Sequence, residues 1–113
     1  LIYSDGSVEN EFIGKRQRMY DILLARDLAD KSDHGEFLKT AYQKDFDEYL
    51  YQSVGYPMLT NLLMGLFVSP YGSTSLREYF ANGFEHYYLG DREYLKKVST
   101  NLYNKIEQLE TMY

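Results

Sequence analysis

Two carboxylates and an amide share one face of a predicted helix, where their types and spacing suit metal binding. At about 100° per residue, Glu78, Asn82 and Glu85 fall together on a helical wheel. The opposite side of the wheel carries Leu76, Phe80, Gly83, Phe84 and Tyr87. A glutamate opposite the apolar face of a helix can ligate zinc when histidines on another helix complete the site. Glu78 is therefore a candidate metal ligand.

The same helix offers Glu78 a purely structural role. Ser75 stands three residues before Glu78, which is the spacing of a capping box. In that motif Ser75 caps the helix and the Glu78 carboxylate reaches back to the amide of Ser75. Glu85 then belongs to a solvated face. Helical periodicity by itself favours this structural interpretation.

A longer pattern surrounds Glu78. Tyr71 lies seven residues before it, and Tyr79-Phe80-Ala81 and then Phe84 follow it. This pattern resembles the end of the zinc-peptidase domain of the anthrax toxin lethal-factor-like family, which belongs to the gluzincins. In that family a Tyr precedes the third zinc ligand by seven residues, and an aromatic-Phe-Ala-Glu-x-Phe run follows the ligand. The resemblance covers roughly the last 45 residues, since the segment from Asp91 onward is also similar.

The resemblance implies a role for each matching residue. Glu78 would be the third zinc ligand, and Tyr71 would be the phenol that stabilises the oxyanion of the tetrahedral intermediate. Asn82 occupies a position where the family has an acidic residue, and such a neighbouring carboxylate commonly orients the ligands. The resemblance further implies zinc as the family cofactor, a fold like the catalytic half of a zincin, and a secreted bacterial setting related to toxins.

The motif that such a site requires is missing from the sequence. His-Glu-x-x-His supplies two zinc ligands and the general base, but the two histidines of this chain are His34 and His86. A loose alignment places Gly14–Arg18 at the position of the motif. If it is correct, both ligands and the base are replaced, and the cations there repel a divalent metal. The cluster Lys15, Arg16 and Arg18 is otherwise expected on a solvated helix face.

Three functions remain open, and the first is favoured. In the first, the chain would be a non-catalytic domain of the lethal-factor-like family that lacks the zinc site and acts in binding or regulation, with no cofactor of its own. Alternatively, it is a fragment of an active secreted zinc metalloendopeptidase whose His-Glu-x-x-His lies outside this chain. A third alternative is an unrelated small helical interaction protein. Whether the chain is an enzyme thus depends on residues beyond it, and no substrate or oligomeric state follows.

Composition narrows the partners. The 113 residues carry a formal net charge of −5, which argues against a nucleic-acid or anionic-membrane surface. No cysteine is present, so disulfides and thiolate metal sites are excluded. The longest apolar run, 58–68, is too short to span a bilayer. The thirteen tyrosines are compatible with docking of a protein partner. Because the chain begins with Leu1 rather than Met, we expect it to be a piece of a longer protein.

Apolar periodicity predicts a mainly α protein, with five or six helices in one compact domain and little or no sheet. Residues 1–10 form a lead-in, 11–68 a helical region, and 69–113 the Tyr/Glu motif with the C-terminal helices. The expected helices cover 11–30, 36–52, 58–67 and 75–89, then 91–98 and a last helix from Ser99 or Thr100. A strand at 66–68 is the alternative to the end of the third helix. Asp33 and Glu36 form the predicted capping box of the second helix, and Gly90 a left-handed cap after the fourth.

Overall fold

The computed structural model describes residues 6–112, and this part of the chain is mainly α-helical, as predicted. It contains seven α-helices rather than five or six, because the predicted second helix is broken. They are α1 Ser7–Ala25, α2 His34–Phe37, α3 Lys44–Glu48, α4 Tyr56–Leu62, α5 Leu76–Leu89, α6 Arg92–Val98 and α7 Thr100–Met112. Short 3₁₀ turns cover Lys31–Asp33 and Pro70–Ser73, and a π-helical turn covers Tyr49–Val54.

Helix α1 begins at Ser7, so part of the predicted lead-in is helical, while residues 1–5 lie outside the described part. The helix ends at Ala25 rather than near residue 30, because Asp27 adopts a left-handed conformation with φ 60°. The amides of Asp27 and Leu28 donate to the carbonyls of Leu24 and Leu23. This is a Schellman motif, which closes the last turn of a helix.

Residues 36–52, predicted as one helix, are interrupted between α2 and α3. At this break the carbonyl of Thr40 accepts the amide of Leu76, the first residue of α5, at 2.8 Å. The loop thus satisfies one of the free amides at the start of α5. The capping box in this region joins Asp30 and Asp33 rather than Asp33 and Glu36.

Helix α4 was predicted over 58–67, but it begins at Tyr56, has Pro57 in its first turn and ends at Leu62. Gly65 has φ 81°, and this left-handed residue turns the chain. The alternative strand at 66–68 is not formed either. Only an isolated bridge joins Met64 and Phe67 in the described part of the chain.

The caps of the C-terminal helices follow the sequence closely. The side chains of Ser75 and Asp91 accept the amides of Glu78 and Tyr94, as the predicted helix starts require. The left-handed cap predicted at Gly90 is wrong, because its φ is −118°. Space around Gly90 is instead limited by His86, because a Cβ at position 90 would lie 3.1 Å from that residue.

One apolar core joins these helices. Phe12 of α1 and Tyr79 of α5 meet with ring centroids 5.4 Å apart, and Phe67 packs edge-on against both rings. Gly83 lets α5 approach α7 so closely that a Cβ would lie 2.5 Å from Leu102. These contacts fix the orientation of α5, which carries the candidate site.

Candidate functional site

The turn Pro70–Ser73 lies directly on α5. The hydroxyl of Ser69 donates to Oδ1 of Asn82 at 3.0 Å, and this bond joins the turn to the helix. At Gly72 a Cβ would lie 2.9 Å from the same oxygen. Asn82 and Gly72 therefore set how close the turn comes to α5, and they hold Tyr71 beside the face that bears Glu78.

Tyr71 and Glu78 line one open cleft of about 410 Å³, together with Asn82, Glu85 and His86. The structure thus brings together all three residues that the sequence singled out. Tyr71 is 57% exposed, and its ring meets that of Tyr56 edge-on with centroids 4.8 Å apart. The ring of Tyr71 is therefore packed against Tyr56 while more than half of the residue remains exposed.

Glu78 lies exposed on the first turn of α5, and its backbone and side chain have separate roles. Its amide is bound by Oγ of Ser75 at 3.1 Å, which is the Ser75 half of the predicted capping box. Its carboxylate makes no hydrogen bond or ion pair with any residue between 6 and 112. The helix start therefore does not use the carboxylate, which remains available in the cleft.

Asn82 differs from its expected place on a solvated face. It is 9% exposed, because the turn Pro70–Ser73 covers it. Its side chain anchors Ser69, and its carbonyl oxygen lies 3.1 Å from Nδ1 of His86. Asn82 thus acts as the link between the turn and α5, a role that the helical wheel could not show.

His86 also lines this cleft, which the sequence did not predict, since on the helical wheel it lies to the side of the face that bears Glu78. Its spacing of four residues from Asn82 was the available signal, since side chains four apart on a helix are neighbours. The other histidine, His34, lies elsewhere: its Nε2 is 2.6 Å from Oε1 of Gln17, and its ring packs on Tyr20.

The segment Gly14–Arg18 does not line the cleft of Glu78. Gly14, Lys15 and Arg18 border a different cleft, between α1 and the turn after α4. The prediction that Lys15, Arg16 and Arg18 lie on a solvated face is correct for Arg18 alone. It is wrong for Lys15 and Arg16, which are 8% and 1% exposed.

The two buried cations hold the fold together. Nζ of Lys15 donates to the carbonyls of Leu66 and Val98 at 2.5 and 2.6 Å, and burial lowers the pKa of Lys15 to about 8. The guanidinium of Arg16 donates to the carbonyls of Ser73 and Glu36 at 2.9 and 3.1 Å. Burial lowers the pKa of Arg16 to about 10, against the opposing effect of the Glu36 charge.

Arg16 also bears on the candidate site. Its guanidinium stacks 4.2 Å from the ring centroid of Phe46, and its bond to the Ser73 carbonyl ties α1 to the end of the turn that carries Tyr71. Arg16 therefore binds the turn at its end, Ser73, while Asn82 binds the residue before it, Ser69.

The cleft does not amount to a zinc site by itself. Within residues 6–112, no three His, Asp or Glu side chains are close enough to share a metal ion. Between residues 6 and 112 the cleft offers zinc two carboxylates without a hydrogen bond or ion pair, those of Glu78 and Glu85, beside an exposed phenol. Besides Glu78, two further ligands are needed for a catalytic zinc.

Comparisons of this chain with protein-family models, with curated proteins and with solved structures find no match. A separate search of the helices between residues 6 and 112 finds none with the length and apolar composition needed to cross a membrane.

Proposed function

We propose that this chain is a domain of the lethal-factor-like zinc-metallopeptidase family and forms one wall of its zinc cleft. In this proposal Glu78 is the third zinc ligand and Tyr71 is the phenol on the oxyanion side. The two histidine ligands and the general base come from residues outside this chain. The secreted bacterial setting belongs to the same proposal and rests on the sequence resemblance.

One observation carries the proposal: Glu78 and Tyr71 border the same open cleft, and the Glu78 carboxylate has no partner in the described part of the chain. A glutamate kept only to cap α5 has its carboxylate bound at the helix start. The turn that positions Tyr71 is held by buried groups on two sides, Asn82 and Arg16. Such support is what a functional side chain needs to keep its geometry.

The geometry also weakens the case for a non-catalytic domain that was drawn from the missing His-Glu-x-x-His. The non-catalytic interpretation depended on aligning Gly14–Arg18 with His-Glu-x-x-His. Those residues lie away from the cleft of Glu78, and Lys15 and Arg16 are engaged with backbone carbonyls. Their identity therefore says nothing about the histidines that would face Glu78, and an active enzyme completed from outside becomes the better supported alternative.

A non-catalytic binding domain remains the second candidate, because of an aromatic row beside the cleft. The ring of Tyr56 meets those of Tyr51 and Tyr71 edge-on, with centroid distances of 5.7 Å to Tyr51 and 4.8 Å to Tyr71. Tyr51 is 64% and Tyr71 57% exposed. Exposed tyrosines are enriched in protein interfaces, so this row suits a protein partner docking across the cleft.

The first test is the coding sequence that precedes Leu1. The proposal expects His-Glu-x-x-His there, and its absence from the natural polypeptide would leave the binding domain or an unrelated helical interaction protein.

Catalytic use of Tyr71 is tested in the natural polypeptide with a quenched-fluorescent peptide library as substrate. Tyr71→Phe should lower kcat by about 10²- to 10³-fold without loss of bound zinc, since it removes one oxyanion donor. Tyr51→Phe is the matched control, because Tyr51 lies in the same aromatic row but does not border the cleft. Equal turnover by the two variants would refute the role of Tyr71.

A further inference from the structure

Four tyrosines from four separate segments meet at one place on the surface. Three of them form the aromatic row of Tyr51, Tyr56 and Tyr71, in which the ring of Tyr56 meets its two neighbours at interplanar angles of 79° and 67°. Tyr42 is joined to the row through Asp47, whose carboxylate accepts the hydroxyls of both Tyr42 and Tyr56. The loop before α3, the π-helical turn, α4 and the turn before α5 thus each contribute one tyrosine.

These rings are exposed although they contact each other. Tyr42, Tyr51 and Tyr71 are each more than half exposed, so packing within the described chain does not cover them. Asp47 holds the hydroxyls of Tyr42 and Tyr56 at 2.9 and 3.2 Å, and the ring of Tyr56 contacts those of Tyr51 and Tyr71. The aromatic row is therefore ordered before a ligand binds, which lowers the entropic cost of binding.

The free polar groups of the aromatic row are hydroxyls. Those of Tyr51 and Tyr71 have no hydrogen-bond partner within residues 6–112. No described strand offers an edge that could pair with the N–H and C=O groups of a β-strand ligand. A polyproline II segment needs no such edge, because proline has no N–H and the carbonyls of this conformation make no internal hydrogen bonds. Phenol hydroxyls can donate to those carbonyls.

The charge next to Tyr71 is negative. Glu78 and Glu85 line the cleft that Tyr71 borders, and neither carboxylate forms a hydrogen bond or ion pair within residues 6–112. No described lysine or arginine lines this cleft, and Nδ1 of its histidine, His86, lies 3.1 Å from the carbonyl oxygen of Asn82. The Tyr71 end of the aromatic row therefore complements a lysine or arginine of a ligand.

We propose that the aromatic row binds a proline-rich segment of a partner protein in the polyproline II conformation, with a Lys or Arg at the end beside Glu78 and Glu85. Proline rings pack against the exposed tyrosine rings, and the hydroxyls of Tyr51 and Tyr71 donate to carbonyls of the segment. Such a segment is already close to its bound conformation, so it loses little entropy on binding. The inference rests on the binding-domain candidate above, in which no metal neutralises Glu78.

Three fluorescein-labelled decapeptides test the proposal on the full chain by fluorescence anisotropy. The first has eight prolines followed by two arginines. The second replaces the prolines with alternating Gly and Ser, and the third replaces the arginines with aspartates. The first peptide should bind at least about tenfold more tightly than each of the others. In ¹⁵N-correlation spectra it should shift the amides of Tyr51, Tyr56 and Tyr71.

Substitutions in the aromatic row separate ring from hydroxyl. Tyr51→Ala should weaken binding of the Pro/Arg peptide by at least about tenfold. Tyr88→Ala is the matched control and should leave the affinity unchanged, because Tyr88 is 51% exposed but lies on α5, where it stacks on Phe84. Tyr51→Phe keeps the ring and should weaken binding by about two- to tenfold, since it removes one hydrogen bond.

Substitutions of the two carboxylates test the charge. The double variant Glu78→Gln, Glu85→Gln should bind the Pro/Arg and Pro/Asp peptides alike, and it should still prefer both to the Gly/Ser peptide. An unchanged preference for arginine over aspartate would contradict the proposed orientation of the segment.

Equal affinity for the Pro/Arg and Gly/Ser peptides would overturn the polyproline II ligand, although amide shifts centred on the aromatic row would still support the binding-domain candidate. Equal affinity of Tyr51→Ala and Tyr88→Ala, or no binding of any peptide at about 1 mM, would overturn the aromatic row as the site. Failure of the binding-domain candidate itself is distinguished by zinc: one zinc per chain held by Glu78 in the natural polypeptide would refute it.

Discussion

Replacing Arg16 with methionine should destabilise the fold far more than the same replacement at Arg18, two positions along α1. Arg16 is 1% exposed and donates to two carbonyls, those of Ser73 and Glu36, whereas Arg18 is exposed. Methionine keeps most of the stem but can satisfy neither carbonyl. The change therefore isolates the contribution of the guanidinium. It leaves the buried carbonyl of Ser73 without this donor, while the carbonyl of Glu36 still accepts the amide of Lys39.

The size of the effect follows from three contributions. Two hydrogen bonds from a charged donor are worth about 1.5–3 kcal/mol each. Loss of the stacking on Phe46, at 4.2 Å, adds about 1 kcal/mol. Removing a buried charge returns part of this, since lowering the pKa of Arg16 from 12.5 to about 10 corresponds to roughly 3 kcal/mol of desolvation. The net loss in the free energy of unfolding is about 1–4 kcal/mol.

Urea and thermal unfolding followed by far-UV circular dichroism measure this difference. For a domain of this size we expect Arg16→Met to lower Tm by about 10 °C, and Arg18→Met to change the free energy of unfolding by less than about 0.5 kcal/mol. Arg16→Lys should fall between them, because an ammonium lacks the planar fork that reaches both carbonyls. If Arg16→Met and Arg18→Met unfold alike, the buried guanidinium does not tether α1 to the Tyr71 turn.

Two further changes test other contacts. Gly83→Ala should destabilise the fold by about 1–3 kcal/mol, because its Cβ would lie 2.5 Å from Leu102. Gly14→Ala meets no atom within 4 Å and should stabilise the fold by about 0.5–1 kcal/mol. Urea unfolding measures both free energies, and a change of the same sign in the two variants would contradict the packing of α5 on α7. Burial lowers the folded-state pKa of Lys15 from 10.5 to about 8, so the unfolded chain binds more protons between these values, and the contribution of Lys15 to stability should rise with pH from 8 to 10.5. Lys15→Met should remove that rise, and an unchanged pH profile would show that Lys15 is not desolvated.

Local signals were enough to predict the starts of three helices. Those of α5 and α6 were correct because Ser75 and Asp91 cap uninterrupted apolar stripes, and α7 begins at Thr100, one of its two predicted starts. These are contacts within one or two turns, so the sequence contains all of their partners. The predicted end of α1 was wrong because Asp27 adopts a left-handed conformation. Aspartate tolerates this conformation, but an aspartate in the sequence does not predict it.

Long-range contacts account for what could not be predicted. The break between α2 and α3 depends on the bond from Leu76 to Thr40, and the burial of Lys15 depends on carbonyls 51 and 83 residues away. Arg16 did leave a signal, since it stands four residues after Phe12 and three before Met19 on the apolar stripe of α1. A cation on such a stripe can be read as buried only once its acceptors are known.

The candidate site shows the same division. The shared face of Glu78 and Glu85 was correct, since it depends on helical spacing alone. The burial of Asn82 and the contribution of His86 were not foreseen, because both depend on how the turn Pro70–Ser73 lies across α5. Helical periodicity thus located the face, and tertiary packing made the cleft.

Zinc content of the natural polypeptide that contains this chain tests the proposed zinc wall most directly. After purification without chelator and extensive dialysis, we expect about one zinc per chain. Glu78→Gln should lose the metal, whereas Glu85→Gln, a carboxylate in the same cleft and on the same helix, should retain it. No bound zinc, or equal zinc in the two variants, would contradict the proposal that Glu78 is a metal ligand.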